Sequence, residues 1–268
     1  MSATPTTGSF HGVRDLRLVG RQVRYEQLSF WLNPIGAVFT IVFSVLFLIL
    51  LGATAGHGTI GGVYGKTELI QYYVPGFAAY GVMAACFNIL CITLVNRREV
   101  GLLKRLRLSP VPTWVLLGAI LVNAMIVAAI QVVLLLAVGK LGYHVHLPDN
   151  ALAFIVAVLI GMLSFTALGV GFSTLVPNVD SAGPMTSVVF FVLLFISGLW
   201  YPLQPGSTLY KISNVFPVHH FIAAVFAPFD TVAGSSPWAW HDLFYVALWG
   251  LGGGVVAVRR WEWSPRRG

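Results

Sequence analysis

The side chains that could support metal or nucleotide chemistry are few in this sequence, and none of them forms a complete motif. His219 and His220 are adjacent, but no Cys, Asp or Glu lies near them at ligand spacing. The segment Gly65-Lys66-Thr67 is a fragment of a phosphate-binding loop, but the full motif requires a glycine where this chain has Ile60. HExxH and paired carboxylates at helical spacing are also missing from the sequence. We therefore expect neither a metal site nor catalytic residues.

The composition explains why chemistry is sparse, because this is the sequence of a membrane protein. Of its 268 residues, 57% are hydrophobic and only 9% are charged. Soluble domains carry about 25% charged residues. The apolar runs are roughly 20 residues long, which is the length of membrane-spanning helices rather than of barrel strands. The net charge of +7 lies in clusters beside these runs, as topology signals do, so we expect no nucleic-acid partner.

The pattern predicts an all-α integral membrane protein with six transmembrane helices. Residues 1–33 form a disordered tail and an amphipathic interfacial helix, and residues 259–268 form a basic cytoplasmic tail. A cytoplasmic coupling helix (96–110) and an outer re-entrant hairpin (201–237) interrupt the transmembrane domain, 34–258. The six predicted spans are 34–53, 71–95, 114–139, 151–176, 185–200 and 238–258.

The interfacial helix is predicted from four arginines at helical spacing between residues 13 and 30. They lie on one face, and apolar side chains such as Val19 and Val23 lie on another. We expect this helix to lie in the headgroup plane with its arginines on anionic lipid. The arginines are Arg14, Arg17, Arg21 and Arg24.

The stretch 96–110 is the most basic part of the chain, and it lies between two long apolar runs. It holds five of the sixteen Lys and Arg residues. Leu102, Leu103 and Leu106 share one face, and Pro110 ends the helix. An amphipathic helix of this kind can be seated in a groove of a soluble partner.

The region 201–237 is apolar but is broken by five prolines. No uninterrupted part of it is long enough to cross a bilayer. Broken apolar segments of this kind are typical of re-entrant or interfacial helices. The prolines are Pro202, Pro205, Pro217, Pro228 and Pro237.

The basic residues also predict the orientation. In a six-span arrangement, thirteen of the sixteen fall in the N-terminal helix, the stretch 96–110 and the C-terminal tail. The other three, Lys66, Lys140 and Lys211, fall in loops on the opposite side. Because cytoplasmic loops carry the excess of Lys and Arg, both termini are expected in the cytoplasm.

No charged residue falls near the middle of any predicted span. Ion-coupled transporters generally keep ionisable groups there, so energy for any transport is expected to come from a partner protein. Gly250 and Gly254 form a GxxxG motif in the last span, although Gly252 and Gly253 blur the face that it marks.

Three stretches, in this order and at this spacing, carry a resemblance to a known family. They are Arg98-Glu99-x-Gly101-x-Leu103-Lys104-x-Leu106-x-x-Ser109-Pro110, then Leu175-Val-Pro177 with Pro184, then Ser197-Gly198-x-x-x-Pro202 with Pro217-x-x-His220. Together they resemble the membrane subunit of ABC transporters of the type-2 export-permease class. That class includes drug-export and polysaccharide-export permeases.

The resemblance implies a pore-forming subunit that is not itself an enzyme and binds no cofactor, because ATP and Mg²⁺ belong to a partner. The partners it implies are two copies of an ABC ATP-binding subunit, a second permease copy, identical or a paralogue, and membrane lipid. The implied location is the bacterial inner membrane. The residues implied to dock on the ATP-binding subunit are Arg98, Glu99, Gly101, Leu103, Lys104, Arg105 and Leu106.

The substrate is the least determined part of this interpretation. The basic element with Ser109-Pro110 is closer to the drug-export branch, so an amphipathic drug-like or lipid-like substrate is expected. The alternatives are a polysaccharide or lipid-linked glycan exporter and, in another class, a membrane scaffold without transport. The side chains expected to line the substrate path are Tyr72, Tyr73, Phe77, Asn88, Phe191 and Phe195.

Overall fold

The computed structural model describes residues 13–55, 58–60, 67–101, 112–201, 203–204, 206–229 and 236–261. Within these residues the chain is almost entirely helical, which confirms the predicted all-helical class. Two-residue strands β1 (Thr59–Ile60) and β2 (Thr67–Glu68) pair in antiparallel fashion, and a 3-10 turn (Ala227–Phe229) follows α8. The helices are α1 (Val13–Trp31), α2 (Pro34–Ala55), α3 (Leu69–Glu99), α4 (Thr113–Tyr143), α5 (Ala151–Ser173), α6 (Val179–Ile196), α7 (Thr208–Ser213), α8 (Pro217–Phe226) and α9 (Trp240–Arg260).

Five of these helices, α3 to α6 and α9, are long and apolar enough to cross a bilayer. The helix α2 has 22 residues. The part of it whose side chains are described, Ile41–Thr54, is apolar but shorter than a membrane span. The short helices α7 and α8 occupy the region predicted as a hairpin, and neither is long enough to cross. The chain is therefore a multi-pass membrane protein.

Two helix boundaries differ from the sequence prediction. The fifth span was predicted from residue 185, but α6 begins at Val179, because the Asn178 side chain caps it by accepting a hydrogen bond from the Ser181 amide. Pro184 is accommodated in the second turn instead of preceding the helix. The coupling helix was predicted to begin at residue 96, but residues 96–99 are the last turn of α3.

The helix α3 is the centre of the bundle. In its most apolar part 78% of the residues are buried, against 22% in α6 and 28% in α9. It packs against α2, α4, α5 and α8, which surround it. The helices α6 and α9 therefore lie at the periphery and present apolar side chains outward, to lipid or to another subunit.

The middle of α3 changes to a π-helical segment, Ala84–Ile89. This segment packs so closely on α5 that a Cβ at Gly169 would come within 2.7 Å of the Cys86 carbonyl oxygen. A π segment adds one residue to a turn and often marks a functional position. Asn88 lies in this segment.

Candidate functional site

A cavity of about 680 Å³ opens between α1, α2, α3, α4 and α6, towards the end of the bundle where α3 finishes. We call it the inner cavity. Most of its wall is apolar, and the aromatic side chains Phe43, Tyr80 and Phe191 reach it from three different helices. The rings of Phe43 and Tyr80 are in contact, with their centroids 6.2 Å apart.

Two of the side chains predicted to line a substrate path, Asn88 and Phe191, lie on the inner cavity. The Asn88 side-chain oxygen is buried and has no hydrogen-bond partner among the described residues. A buried amide oxygen without a partner is energetically unfavourable and is uncommon in native structures. The Asn88 side chain is therefore a candidate for contact with a ligand.

An ion pair lies at the mouth of the inner cavity and joins α1 to α3. Both terminal nitrogens of Arg97 donate to the Glu26 carboxylate, at 2.8 and 2.5 Å, and Glu26 is only 4% exposed. Close by, the Gln27 side chain donates to the Asn123 side-chain oxygen at 2.8 Å. Sequence reasoning counted Arg97 only as a topology signal. The available clue was Glu26, an acidic residue in a predominantly basic helix.

Three other predicted path residues lie away from the inner cavity. Phe77 is 1% exposed, and its ring contacts the rings of Phe47 and Trp200 within the core. The Tyr72 hydroxyl donates to the Gly198 carbonyl oxygen, and the Tyr73 hydroxyl lies 3.5 Å from the Trp200 carbonyl oxygen. In this conformation these rings support the packing between α3 and the segment after α6.

Phe191 and Phe195 lie on the outward side of α6. They are 44% and 58% exposed, and the neighbouring Val188 and Val192 are exposed as well. This face of α6 has few contacts with the rest of the described chain, so it is open to lipid or to a second subunit.

Among the predicted docking residues that the structure describes, Arg98 is the most deeply buried. It is 5% exposed, and its guanidinium donates to the carbonyl oxygens of Ser173, Val176 and Pro177 at 3.2, 2.7 and 3.2 Å. Ser173 is the last residue of α5, where backbone oxygens lack helical partners and a cation is favoured, and Val176 and Pro177 follow in the turn before α6. Arg98 therefore ties the end of α3 to the end of α5.

Of the other predicted docking residues, the structure describes two, Glu99 and Gly101. Glu99 accepts a hydrogen bond from Arg98 at 2.7 Å, and its side chain is 11% exposed. Gly101 has a φ of +74°, the left-handed conformation that ends helices and favours glycine. Leu103, Lys104, Arg105 and Leu106 lie outside the described residues.

The arginines of α1 are exposed where the structure describes them. Arg17, Arg21 and Arg24 point outward, and Arg14 belongs to the same helix, with its side chain outside the described part. Leu28 and Trp31 are also exposed, at 56% and 46%. The helix therefore offers both cationic and apolar side chains to its surroundings.

A second polar group lies at the opposite end of the bundle, beside a cavity of about 450 Å³. His220 of α8 contacts Asp242 of α9 at 2.6 Å and the Asn214 carbonyl oxygen at 2.9 Å. Burial works to lower the pKa of His220, but these two hydrogen bonds outweigh it and raise that pKa above the usual value. Burial lowers the pKa of the neighbouring His219.

Two comparisons with known proteins agree with this architecture. The chain is 24% identical over 174 residues to YvfS of Bacillus subtilis (strain 168), which is named as a transport permease. That alignment covers 64% of this chain and 69% of YvfS. The chain is also 25% identical over 151 residues to YbhR of Escherichia coli (strain K12), which is named as a multidrug ABC transporter permease. That alignment covers 56% of this chain and 41% of YbhR, so less than half of that relative is matched.

A match to a protein family covers most of the chain. The family described as ABC-2 type transporter matches residues 18–229, from within α1 to the end of the 3-10 turn after α8, and this range includes the whole of the inner cavity wall described above. This confirms the resemblance stated from the three sequence stretches. The chain belongs to the ABC-2 type transporter family and is a membrane transport component.

Proposed function

We propose that the chain is the permease subunit of an ATP-driven exporter, which moves an amphipathic drug-like or lipid-like compound out of a bacterial cell. Two copies of the chain form the transport path, and two ABC ATP-binding subunits hydrolyse the ATP. The family supports association with an ATP-binding subunit, and the printed name of YbhR supports the drug-like class of substrate. In this proposal the helix α2 is the sixth span, so both termini lie on the same side of the membrane, in the cytoplasm. The membrane is the bacterial inner membrane.

The observation that carries this proposal is the composition of the inner cavity. Its wall combines aromatic rings with neutral polar side chains, and one of these, Asn88, has a side-chain oxygen without a partner in the described part of the chain. The charges of Glu26 and Arg97 neutralise each other at the mouth. Such a wall suits a molecule with an apolar body and one or two polar groups. A glycan carries hydroxyl groups along its whole length and is less suited to this wall.

Arg98 provides a route by which the partner can act on the transmembrane helices. Arg98 is the first of the proposed docking residues and lies in the last turn of α3. Because the Arg98 guanidinium donates to the last carbonyl of α5 and to two carbonyls of the turn that follows, a movement of the docking segment is passed to α5 and this turn as well as to α3. Glu99 holds Arg98 in this position.

The N-terminal helix completes the arrangement on the cytoplasmic side. With α2 as a span, α1 lies at the headgroup level, where Arg14, Arg17, Arg21 and Arg24 meet anionic lipid and Trp31 lies at the interface. The ion pair between Glu26 and Arg97 then links this helix to the inner cavity. Lipid-soluble substrates can reach the cavity beside α1.

The proposal is tested with a purified complex of the chain and its ATP-binding subunit in liposomes. ATP hydrolysis is measured against a panel of amphipathic drugs, lipids and glycans, and we expect stimulation by members of the first two classes. Replacing Glu99 with Lys places a second cation beside Arg98, so it should reduce substrate-stimulated hydrolysis at least about tenfold. Thermal unfolding of the variant is measured in parallel.

The matched control is Asp149→Lys, which makes the same change of charge at the opposite end of the bundle, on an exposed residue. It should leave stimulated hydrolysis unchanged. Full stimulation in the folded Glu99→Lys complex contradicts the docking role. A complex that no compound on the panel stimulates, and that transports none, favours the scaffold instead.

A further inference from the structure

Three side chains from two helices converge at the end of the bundle opposite Arg98. His220 comes from α8, and His241 and Asp242 come from the first turn of α9. One potential ligand atom of each lies within 4.8 Å of the others. The His220 Nδ1 is 2.6 Å from the Asp242 carboxylate, and the His241 Nδ1 is 3.8 Å from the same oxygen.

The orientation of His220 is fixed by contacts on its other side. Its Nε2 lies 2.9 Å from the Asn214 carbonyl oxygen, which can only accept, so Nε2 carries the hydrogen. The Tyr245 ring stacks on the imidazole, with centroids 4.5 Å apart and planes 21° apart. Histidines that bind metals commonly donate their second ring N–H to a backbone carbonyl in this way. The Nδ1 atom faces His241 and Asp242 and donates to the Asp242 carboxylate, so a metal ion bound here takes the place of that proton.

We propose that His220, His241 and Asp242 bind a divalent transition-metal ion of the zinc class. Two imidazole nitrogens and one carboxylate oxygen are the ligand types that Zn²⁺ takes in sites with three protein ligands. Mg²⁺ and Ca²⁺ prefer sites made of oxygen atoms alone. Ligands of a tetrahedral Zn²⁺ lie about 3.3 Å apart. The 2.6 and 3.8 Å separations lie on either side of that value, and all three ligand atoms lie within 4.8 Å of one another, so binding the ion requires these side chains to readjust.

The fourth coordination position faces the neighbouring cavity of about 450 Å³, which is also lined by Tyr72, Tyr210 and His219. An open position is typical of exchangeable or catalytic sites and not of closed structural ones. Ligands from α8 and α9 make the ion a bridge between the hairpin region and the last helix. The proposed binding does not depend on the substrate or on the ATP-binding subunit.

The site is tested by titrating the full-length chain, freed of any histidine tag and purified in detergent, with ZnCl₂ and with MgCl₂ in a calorimeter. We expect saturable binding of one Zn²⁺ per chain and no comparable binding of Mg²⁺. His241 is 75% exposed, so His241→Ala removes a ligand without disturbing the buried hydrogen bonds of His220. It should weaken Zn²⁺ binding at least about tenfold.

The matched control is His146→Ala, which removes another exposed histidine from a loop outside the cluster. The His146→Ala variant should bind Zn²⁺ as tightly as the parent chain. X-ray absorption at the zinc edge should show nitrogen neighbours at about 2.0–2.1 Å. No saturable Zn²⁺ binding, or equal affinity in the parent and His241→Ala, overturns the proposal, because a purely structural His220–Asp242 hydrogen bond does not involve His241.

Discussion

Asn88 shows how one residue can serve a binding site at a cost in stability. Its side-chain oxygen is buried in the wall of the inner cavity without a partner among the described residues. A leucine of similar size removes that unfavourable polar atom, so Asn88→Leu should keep the free energy of unfolding or raise it by about 1 kcal/mol. The same change removes the polar contact for a substrate, and stimulation of ATP hydrolysis should fall about tenfold. Thermal unfolding and ATPase assays of one preparation check both results.

A second asparagine of α3 provides the control for this prediction. The Asn96 side-chain oxygen is also buried without a described partner, but Asn96 lies outside the inner cavity. Asn96→Leu should therefore show the same change in stability and keep substrate stimulation. An equal loss of stimulation in both variants would assign the effect to the helix α3 and not to the cavity.

Residue types could be predicted from the sequence better than their surroundings. Asn88 was identified because a polar residue inside an apolar helix is unusual. Tyr72, Tyr73 and Phe77 were predicted as aromatic rings on a span that the family resemblance places along the path. They pack in the core, because neighbouring rings of one helix can face either a cavity or other helices. The group of His220 with Asp242 was missed, because its members are 22 residues apart and meet only through the packing of α8 on α9.

The helices α5 and α9 form the most extensive contact in the bundle, and glycines allow it. A Cβ at Gly253 would lie 2.7 Å from the Leu168 Cα, and a Cβ at Gly250 would lie 2.7 Å from the Ser164 Cα. The positions Gly252 and Gly254 have nothing within 4 Å. The GxxxG motif seen in the sequence therefore marks the right helix, but the face that packs is formed by Gly250 and Gly253.

This geometry predicts opposite effects for two adjacent substitutions. Gly253→Ala places a methyl group against the backbone of α5, which cannot easily move, so it should lower the free energy of unfolding by about 1–3 kcal/mol. Gly254→Ala adds the same methyl group in open space and should leave stability unchanged or raise it by up to about 1 kcal/mol. Thermal unfolding in detergent, followed by tryptophan fluorescence, measures both. Equal destabilisation by the two variants would contradict this packing.

Helix boundaries depend on local side-chain chemistry that hydropathy does not contain. The long apolar runs located the helices because burial in lipid requires such runs. The start of α6 was misplaced because Pro184 was interpreted as a helix breaker, although the Asn178 cap starts the helix before it. The π segment of α3 left no signal in the composition, because its residues are as apolar as their neighbours.

At the scale of the whole molecule, the position of α2 decides the topology. With α2 as a sixth span, α1 and the end of α9 lie on the same side of the membrane. With five spans they lie on opposite sides. The positive-inside distribution of Lys and Arg favours the first arrangement, because α1, the stretch 96–110 and the C-terminal tail then share the cytoplasmic side.

Cysteine labelling distinguishes the two arrangements. Cys86 and Cys91 are buried, and replacing both with Ala gives a background without reactive thiols. Single cysteines are then placed at the exposed positions Arg21, His146 and Arg260. In intact spheroplasts a membrane-impermeant maleimide should label only His146→Cys, and after permeabilisation it should label all three. Labelling of Arg21→Cys in intact spheroplasts, with Arg260→Cys protected, would show that α2 does not cross. The N-terminal helix would then lie outside, away from the predicted docking segment, and its ion pair with Arg97 could not form at the cytoplasmic mouth of the inner cavity.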